Sequence, residues 1–341
     1  EFTAYAPHFT GSEAYKETVK KTVLGESYRK EYPNYFFSVI GTPGGTGALS
    51  NTIKNYLNHG EKILLPERMW GPYKAMAKEA GGSFDCYALF NEKNTFHLSN
   101  FEEKVKTLSK EQENLVVVIN DPCQNPTGFK LSQEEWLAVM RILKEAAKQS
   151  NIILIKDIAY KDFDTPEYEE RSVLSELPEN MLVVYAFSLS KSLGIYGMRA
   201  GAQLAISSSK EWIEEFETAA AFSCRATWSN ASRGGMEMFV KIMETPSLRE
   251  QLWEEQKKYE KLLLERAEIF ITEARECHLD ILPYRSGFFL TIPVGEKIRE
   301  VTRELEQQNI FTIVFEDAIR IAICGIPKRK LRGLAKKIKD T

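Results

Sequence analysis

Residues 115–157 read LVVVINDPCQNPTGFKLSQEEWLAVMRILKEAAKQSNIILIKD: two unbroken apolar runs on either side of a segment with helical periodicity. Short apolar runs of this kind are strands covered on both faces, and parallel strands need a crossover of about a dozen residues or more, usually a helix. Ser132 and Glu135 supply a capping box for that helix, predicted over 134–149. The alternation extends outward in both directions. Further strands are expected at 35–40, 62–66, 84–89, 182–187 and 200–206, with helices at 46–58 and 72–80. The reading is an α/β fold, its large domain built on a mostly parallel seven-stranded sheet sandwiched by helices. After residue 207 helical patterns dominate, including a long charged helix over 247–277. Strand-like stretches at 287–292, 311–315 and 319–324, a helix at 296–308 and a closing basic helix then make a smaller α+β C-terminal domain. The division is placed at 1–264 and 265–341.

Composition narrows the function. The 341 residues are 43% hydrophobic and 27% charged with a formal net charge of −3, so the basic excess of a nucleic-acid or anionic-membrane surface is missing. The basic stretch 328–339 reads as a solvated helix face near a C-terminus, where cations suit the helix dipole. No apolar run approaches the ~18 residues of a bilayer-spanning helix. No secretory or transit segment is evident, but the chain begins at Glu1 in what looks like mid-protein sequence, so a preceding segment is expected. Cys86, Cys123, Cys224, Cys277 and Cys324 are odd in number and form no CxxC pair. They read as reduced thiols of a cytoplasmic protein. His8, His59, His97 and His278 are dispersed, and no metal site is expected.

Four segments carry chemistry. GTPGGTG at 41–47 lies between a strand and a helix, where small residues let backbone amides approach an anion at the helix start. Its spacing fits neither GxGxxG nor GxxxxGK[ST], which leaves phosphorylated cofactors. FSLSKSLGIYGMR at 187–199 puts Lys191 just past a buried strand, ringed by serines and glycines. The other lysines read as lying on solvated helix faces. A partly desolvated lysine loses basicity and can form a Schiff base with an aldehyde, although a plain surface-loop lysine would share this local pattern. NDPCQNPTG at 120–128 and KDIAY at 156–160 also end strands, where open α/β sheets bind ligands. A carboxylate buried there needs a cationic partner, which a pyridinium N–H would supply.

Together, SLSKSLGIYGMRAG (188–201), NPTG (125–128), DIAY (157–160) and the glycine-rich loop resemble the aspartate aminotransferase family of pyridoxal-phosphate enzymes, of fold type I and the aspartate/aromatic kind. The resemblance runs from Tyr5 to the end of the chain. It implies that Lys191 carries the cofactor as an imine and later shuttles a proton, while Asp157 pairs with the pyridinium nitrogen. Tyr160 and Asn125 would bond the ring's phenolic oxygen. Gly45, Thr46, Ser188, Ser190 and Arg199 would hold the phosphate. Trp70 matches the aromatic that stacks on the ring, and Tyr5 a tyrosine that reaches the neighbouring subunit's phosphate. The family also implies a cis Asn125–Pro126 bond.

For the substrates, Arg320, a charge within the apolar strand IRIAICG (319–325), matches the arginine that clamps the α-carboxylate. Arg225, in CRATWSN (224–230) and 34 positions after Lys191, matches an arginine lent by the partner subunit to a side-chain carboxylate. The resemblance therefore implies a homodimer with shared active sites, taking an L-amino acid and a 2-oxo acid. Aspartate or glutamate with 2-oxoglutarate or oxaloacetate is the leading pair, and an arginine that swings aside would admit aromatic amino acids. A lyase or decarboxylase of the same fold, or a cofactor-binding regulator without turnover, remains open. The chain departs from the family pattern where Arg68 stands in place of a proline two residues before Trp70, and in lacking the N-terminal arm.

Overall fold

The computed structural model describes residues 4–6, 8–164 and 169–341. Seven strands, β1 Phe36–Thr42, β2 Lys62–Pro66, β3 Ser83–Tyr87, β4 Asn114–Asn120, β5 Asn151–Asp157, β6 Met181–Ser188 and β7 Gly201–Ser207, form one sheet in the order β1-β7-β6-β5-β4-β2-β3. The pairs β2/β3, β2/β4, β4/β5 and β5/β6 are parallel, while β7 runs antiparallel to both β6 and β1. The reason lies in the link. Only residues 189–200 separate β6 from β7, which accommodates a direct return more readily than a full helical crossover.

Each face of the sheet carries its own apolar layer. Val117, Leu154, Val183 and Leu204 pack with Phe101, Trp136 and Tyr15 from the helices Leu98–Glu111, Gln133–Ala146 and Glu13–Leu24. Val116, Ile153, Val184 and Ala205 face Leu49 and Phe216 from the helices Gly44–Tyr56 and Lys210–Thr227. Burying such a Val, Leu or Ile side chain contributes about 1.5–3 kcal/mol, and a strand covered twice gains it at successive positions. The expected capping box is present, with Ser132 Oγ accepting from the Glu135 amide. Register then places the ends that matter side by side: Asn120 pairs with Asp157, Asp157 with Ala186, and Ser188 with Gly201.

The helix Pro246–Glu276 spans roughly 46 Å at 1.5 Å per residue. The expected division at 264/265 falls inside it. Its C-terminal half buries Leu263, Ala267, Phe270 and Ala274 in a third core with the antiparallel sheet β8-β10-β9 (β8 Phe289–Pro293, β9 Ile313–Phe315, β10 Ala318–Ala322). Cys123, Ala159, Tyr160 and Phe163 from the β4 and β5 ends join the same core, so the large lobe and the small one meet at the strand ends. The closing basic helix is two short helices, Lys328–Leu331 and Leu334–Asp340, broken where Gly333 takes φ +79°. No helix among the described residues is long and apolar enough to cross a membrane.

Candidate active site

The C-terminal ends of β4, β5 and β6 open into a cleft of about 460 Å³, mouth included, reached by Asn120, Asn125, Asp157, Tyr160 and Lys191. Asp157 ends β5 and is buried. It accepts hydrogen bonds from the Ala159 amide (3.1 Å) and from Tyr73 Oη (2.5 Å). Burial pushes its carboxyl above the ordinary range, opposed by the Tyr73 and Ala159 hydrogen bonds and the Lys191 charge. No lysine or arginine among the described residues lies within ion-pair distance of it.

Tyr73 was not singled out from the sequence. It is fully buried at the start of the helix Pro72–Glu79, and its phenol is held far above its usual pKa, first by burial and then by the Asp157 charge. Asn120 is a second such residue. Its Nδ2 donates to the Asp157 carbonyl (2.8 Å), and its Oδ1 accepts from the Asn125 amide (2.8 Å), joining two strand ends to one loop. That loop contains the expected cis bond, Asn125–Pro126, and a second, Asp121–Pro122, that was not foreseen.

Lys191 lies in the turn Leu189–Ser192 and is half-buried, its Nζ 5.4 Å from the Tyr160 ring centre and 5.6 Å from that of Tyr196. Burial lowers its pKa, and Arg199 adds to this, against the opposing pull of Asp157. It is not the one buried lysine, contrary to the sequence reading. Lys156 is wholly enclosed against Glu170, and Lys130 is paired with Asp164 at 3.1 Å. Lys144 is also partly buried without an ion pair among the described residues, but its Nζ donates to the Ser175 carbonyl; what distinguishes Lys191 is that it lines the cleft beside Asp157.

At the other end of the cleft the donors converge. The helix Gly44–Tyr56 points its first turn into the cleft, and Gly45 lies so close to Ser188 that an added Cβ would sit 3.2 Å from the serine Cβ. Ser188 Oγ accepts from the Ser190 amide at 3.3 Å. Arg199, in the left-handed region at φ 49°, reaches Ser190 Oγ (3.3 Å) and the carbonyls of Tyr196 (3.0 Å) and Pro43 (3.4 Å). Thr46 lines the same end, and among the described residues the only carboxylate lining the cleft is Asp157, at the far end. A helix N-terminus, three hydroxyls and a guanidinium make an anion site.

Trp70 lines the cleft and meets Tyr73 edge-on, ring centres 5.5 Å apart at 84°. Arg320, on β10, is half-buried between Phe289 (4.2 Å to the ring centre) and Phe315 (5.3 Å). It donates to Asn125 Oδ1 at 2.7 Å, and its Nε is buried without a hydrogen-bond partner among the described residues. Burial lowers its pKa. Two expected residues lie outside the cleft of this chain. Arg225, exposed on the last turn of Lys210–Thr227, donates to Ser229 Oγ (2.9 Å), and exposed Tyr5 receives Arg233 on its carbonyl (3.3 Å).

Residues 6–338 match the family described as aminotransferase class I and II. The chain belongs to this family. It is similar to the crystal structure of an aminotransferase from Anaerococcus prevotii (TM-score 0.93, 36% identity, 99% of this chain and 82% of that one). It is 26% identical over 233 residues to the mitochondrial aspartate aminotransferase of Gallus gallus, across 67% of this chain and 53% of that protein. It is also 26% identical over 310 residues to an aromatic-amino-acid aminotransferase of Pseudomonas aeruginosa, across 87% of this chain and 73% of that one. The match thus spans about half the length of the chicken enzyme.

The cofactor of this aminotransferase family is pyridoxal phosphate, and the residues fit it. The anion site suits the phosphate, the uncompensated Asp157 suits a ring N–H, and Lys191 lies between them as an amine.

Proposed function

We propose that this member of the aminotransferase family moves an amino group between an L-amino acid and a 2-oxo acid with pyridoxal phosphate held at Lys191. Aspartate or glutamate would be the donor and 2-oxoglutarate or oxaloacetate the acceptor. The observation that carries the reading is Lys191 itself, half-buried without a carboxylate partner between a buried carboxylate and an anion cradle. When bound, the cofactor supplies an electron sink that acidifies the Cα–H of an attached amino acid. Lys191 Nζ, its pKa lowered by burial, is the base that takes this proton and returns it. Asp157 holds the proton on the ring nitrogen, and Tyr73 fixes the carboxylate that does so. Ser188, Ser190, Thr46, the amide of Gly45 and Arg199 anchor the phosphate, while Trp70 covers the ring. Tyr160 and Asn125 serve its phenolic oxygen. Arg320, its charge facing no carboxylate among the described residues, takes the substrate α-carboxylate in a forked contact.

Arg225 and Tyr5 belong to this reading as residues lent to a partner's site, in a cytoplasmic homodimer whose lobes divide at 264/265. An aromatic donor is the second reading. It is favoured by a second hollow that shares Lys191 with the cleft and is lined by Phe163, Tyr196, Tyr259 and Phe288. The visible spectrum of the protein loaded with pyridoxal phosphate tests both readings. Bleaching by L-aspartate and recovery with 2-oxoglutarate, both lost in Lys191→Ala, is the expected result. Bleaching by L-phenylalanine alone moves the donor to the aromatic class, and bleaching by neither overturns the transaminase reading.

A further inference from the structure

The cleft opens at the strand ends where the two lobes meet, and an ion pair joins them at the residue where the sequence departs from the family pattern. Arg68, two before Trp70, keeps only 17% of its side-chain exposure against 49% for Asp317. It meets the Asp317 carboxylate with both terminal nitrogens, Nη1 to Oδ1 and Nη2 to Oδ2, the latter at 3.0 Å. A two-pronged contact of this kind fixes orientation as well as distance. Both ends are tied to the substrate side. The Arg68 carbonyl accepts from Gln124 Nε2 (2.5 Å), and Gln124 adjoins Asn125. The Asp317 carbonyl accepts from the amides of Val294 (2.8 Å) and Gly295 (2.7 Å), which fastens the β9–β10 turn to the end of β8. Three residues further along β10, Arg320 donates back to Asn125 Oδ1. The contacts close a ring across the cleft, and Lys74 Nζ to Glu316 Oε1 at 3.0 Å bridges the same turn a second time.

We propose that Arg68 and Asp317 are a positioning pair that holds the strand carrying Arg320 against Asn125 and Trp70, so that substrate carboxylates meet a preformed site. The proposal rests on the reading of Arg320 as the carboxylate grip. Neither residue touches substrate. The pair sets where Arg320 stands and hence how well it meets a substrate carboxylate. Because the grip is made in the ground state and the transition state alike, its loss raises KM more than it lowers kcat.

The test uses holoenzyme of the wild type, Arg68→Ala, Asp317→Ala, Arg68→Lys and the exchanged Arg68→Asp/Asp317→Arg. For each, KM and kcat are measured with amino donor, dissociation constants by calorimetry for maleate and 3-phenylpropionate, and cofactor affinity by titrating pyridoxal phosphate into the cofactor-free protein. The alanine variants are expected to weaken the carboxylate probes and raise KM roughly tenfold, with kcat within about threefold and cofactor affinity kept. The exchange regains most of that loss, and Arg68→Lys, which keeps charge without the fork, falls between and decides the matter where an alanine variant does not fold. Unchanged probe affinity in the variants overturns the proposal, as does an exchange no better than the single changes, or a wild type that binds neither probe. A wild type that binds the probes and transfers no amino group sinks the transaminase reading alone, and the pair is then judged on the dissociation constants.

Discussion

Asp157 is a buried carboxylate with no lysine or arginine at ion-pair distance among the described residues, and its energetics can be separated from those of catalysis. Burial raises its pKa above the ordinary value, so the folded chain favours the protonated form. The sign follows. That contribution to stability is full at low pH and is lost as pH rises through the folded value, leaving the ionised group weighing against the cofactor-free fold at neutral pH. Asp157→Asn keeps the shape, an acceptor for the Ala159 amide and an Nδ2 donor that Tyr73 Oη can accept, while removing the charge. It is expected to raise the melting temperature of the cofactor-free protein by a few degrees at pH 7.5, where 1 kcal/mol is worth about 2–4 °C, and to lose that advantage near pH 4. In calorimetric titration its affinity for pyridoxal phosphate should fall roughly ten- to a hundredfold, the value of a charge-assisted hydrogen bond. A variant melting below wild type at pH 7.5 would show that Asp157 stabilises the empty fold. Asp157 at a strand end, Lys191 just past one and Arg320 within an apolar strand stood out in the sequence, while Asn125 and Tyr160 were named only through the family motifs that contain them. Tyr73 and Asn120 were not singled out, since a Tyr at a helix start and an Asn at a strand end acquire their partners only when β4 and β5 register side by side.

At the scale of elements, the strand-to-helix turn at Gly44 is where conformation and ligand chemistry coincide. Gly44 has φ +72°, and a Cβ there would stand 2.8 Å from Arg199 Nη2. Gly44→Ala therefore combines backbone strain with displacement of the guanidinium. Gly60 separates the two effects: at φ +86° an added Cβ meets nothing within 4 Å. Both alanine variants should lose about 1 kcal/mol or more in denaturant titration. Gly44→Ala alone should weaken inorganic phosphate and pyridoxal phosphate, by roughly tenfold, in titrations of the cofactor-free protein. Equal phosphate affinity in the two variants would remove Arg199 from the anion site. The periodicity that located the strands carried no information on the direction of β7, because an apolar strand buried on both faces reads the same either way along the sheet. Likewise the basic helix at 328–339 hid its break: a single glycine is tolerated within a helix, and only the observed φ of +79° at Gly333 marks it as a stop.

For the whole molecule, the decisive fact is that Arg225 and Tyr5 lie on the surface and outside the cleft of their own chain, as residues expected to serve a partner's cleft would. The family resemblance supplied both their roles and their address in a partner's cleft, and a residue that works across an interface leaves no intrachain contact by which either could be checked. If Arg225 is lent across a two-fold axis, each site takes Lys191 from one subunit and Arg225 from the other. Co-expressed Lys191→Ala and Arg225→Ala chains then assemble mixed dimers in which one site has both residues intact and the other has neither. With random pairing, half the dimers are mixed and half of their sites are whole, so activity on L-aspartate should recover to about a quarter of wild type. Each parent alone would remain low on aspartate, and Arg225→Ala would retain more of any activity on aromatic donors than on aspartate. Purifying the mixed dimer through two different affinity tags raises the expected value to about half. Recovery absent from a purified, cofactor-loaded mixed dimer would place Arg225 in the site of its own subunit or outside catalysis, and with it would go the argument that the sites are shared.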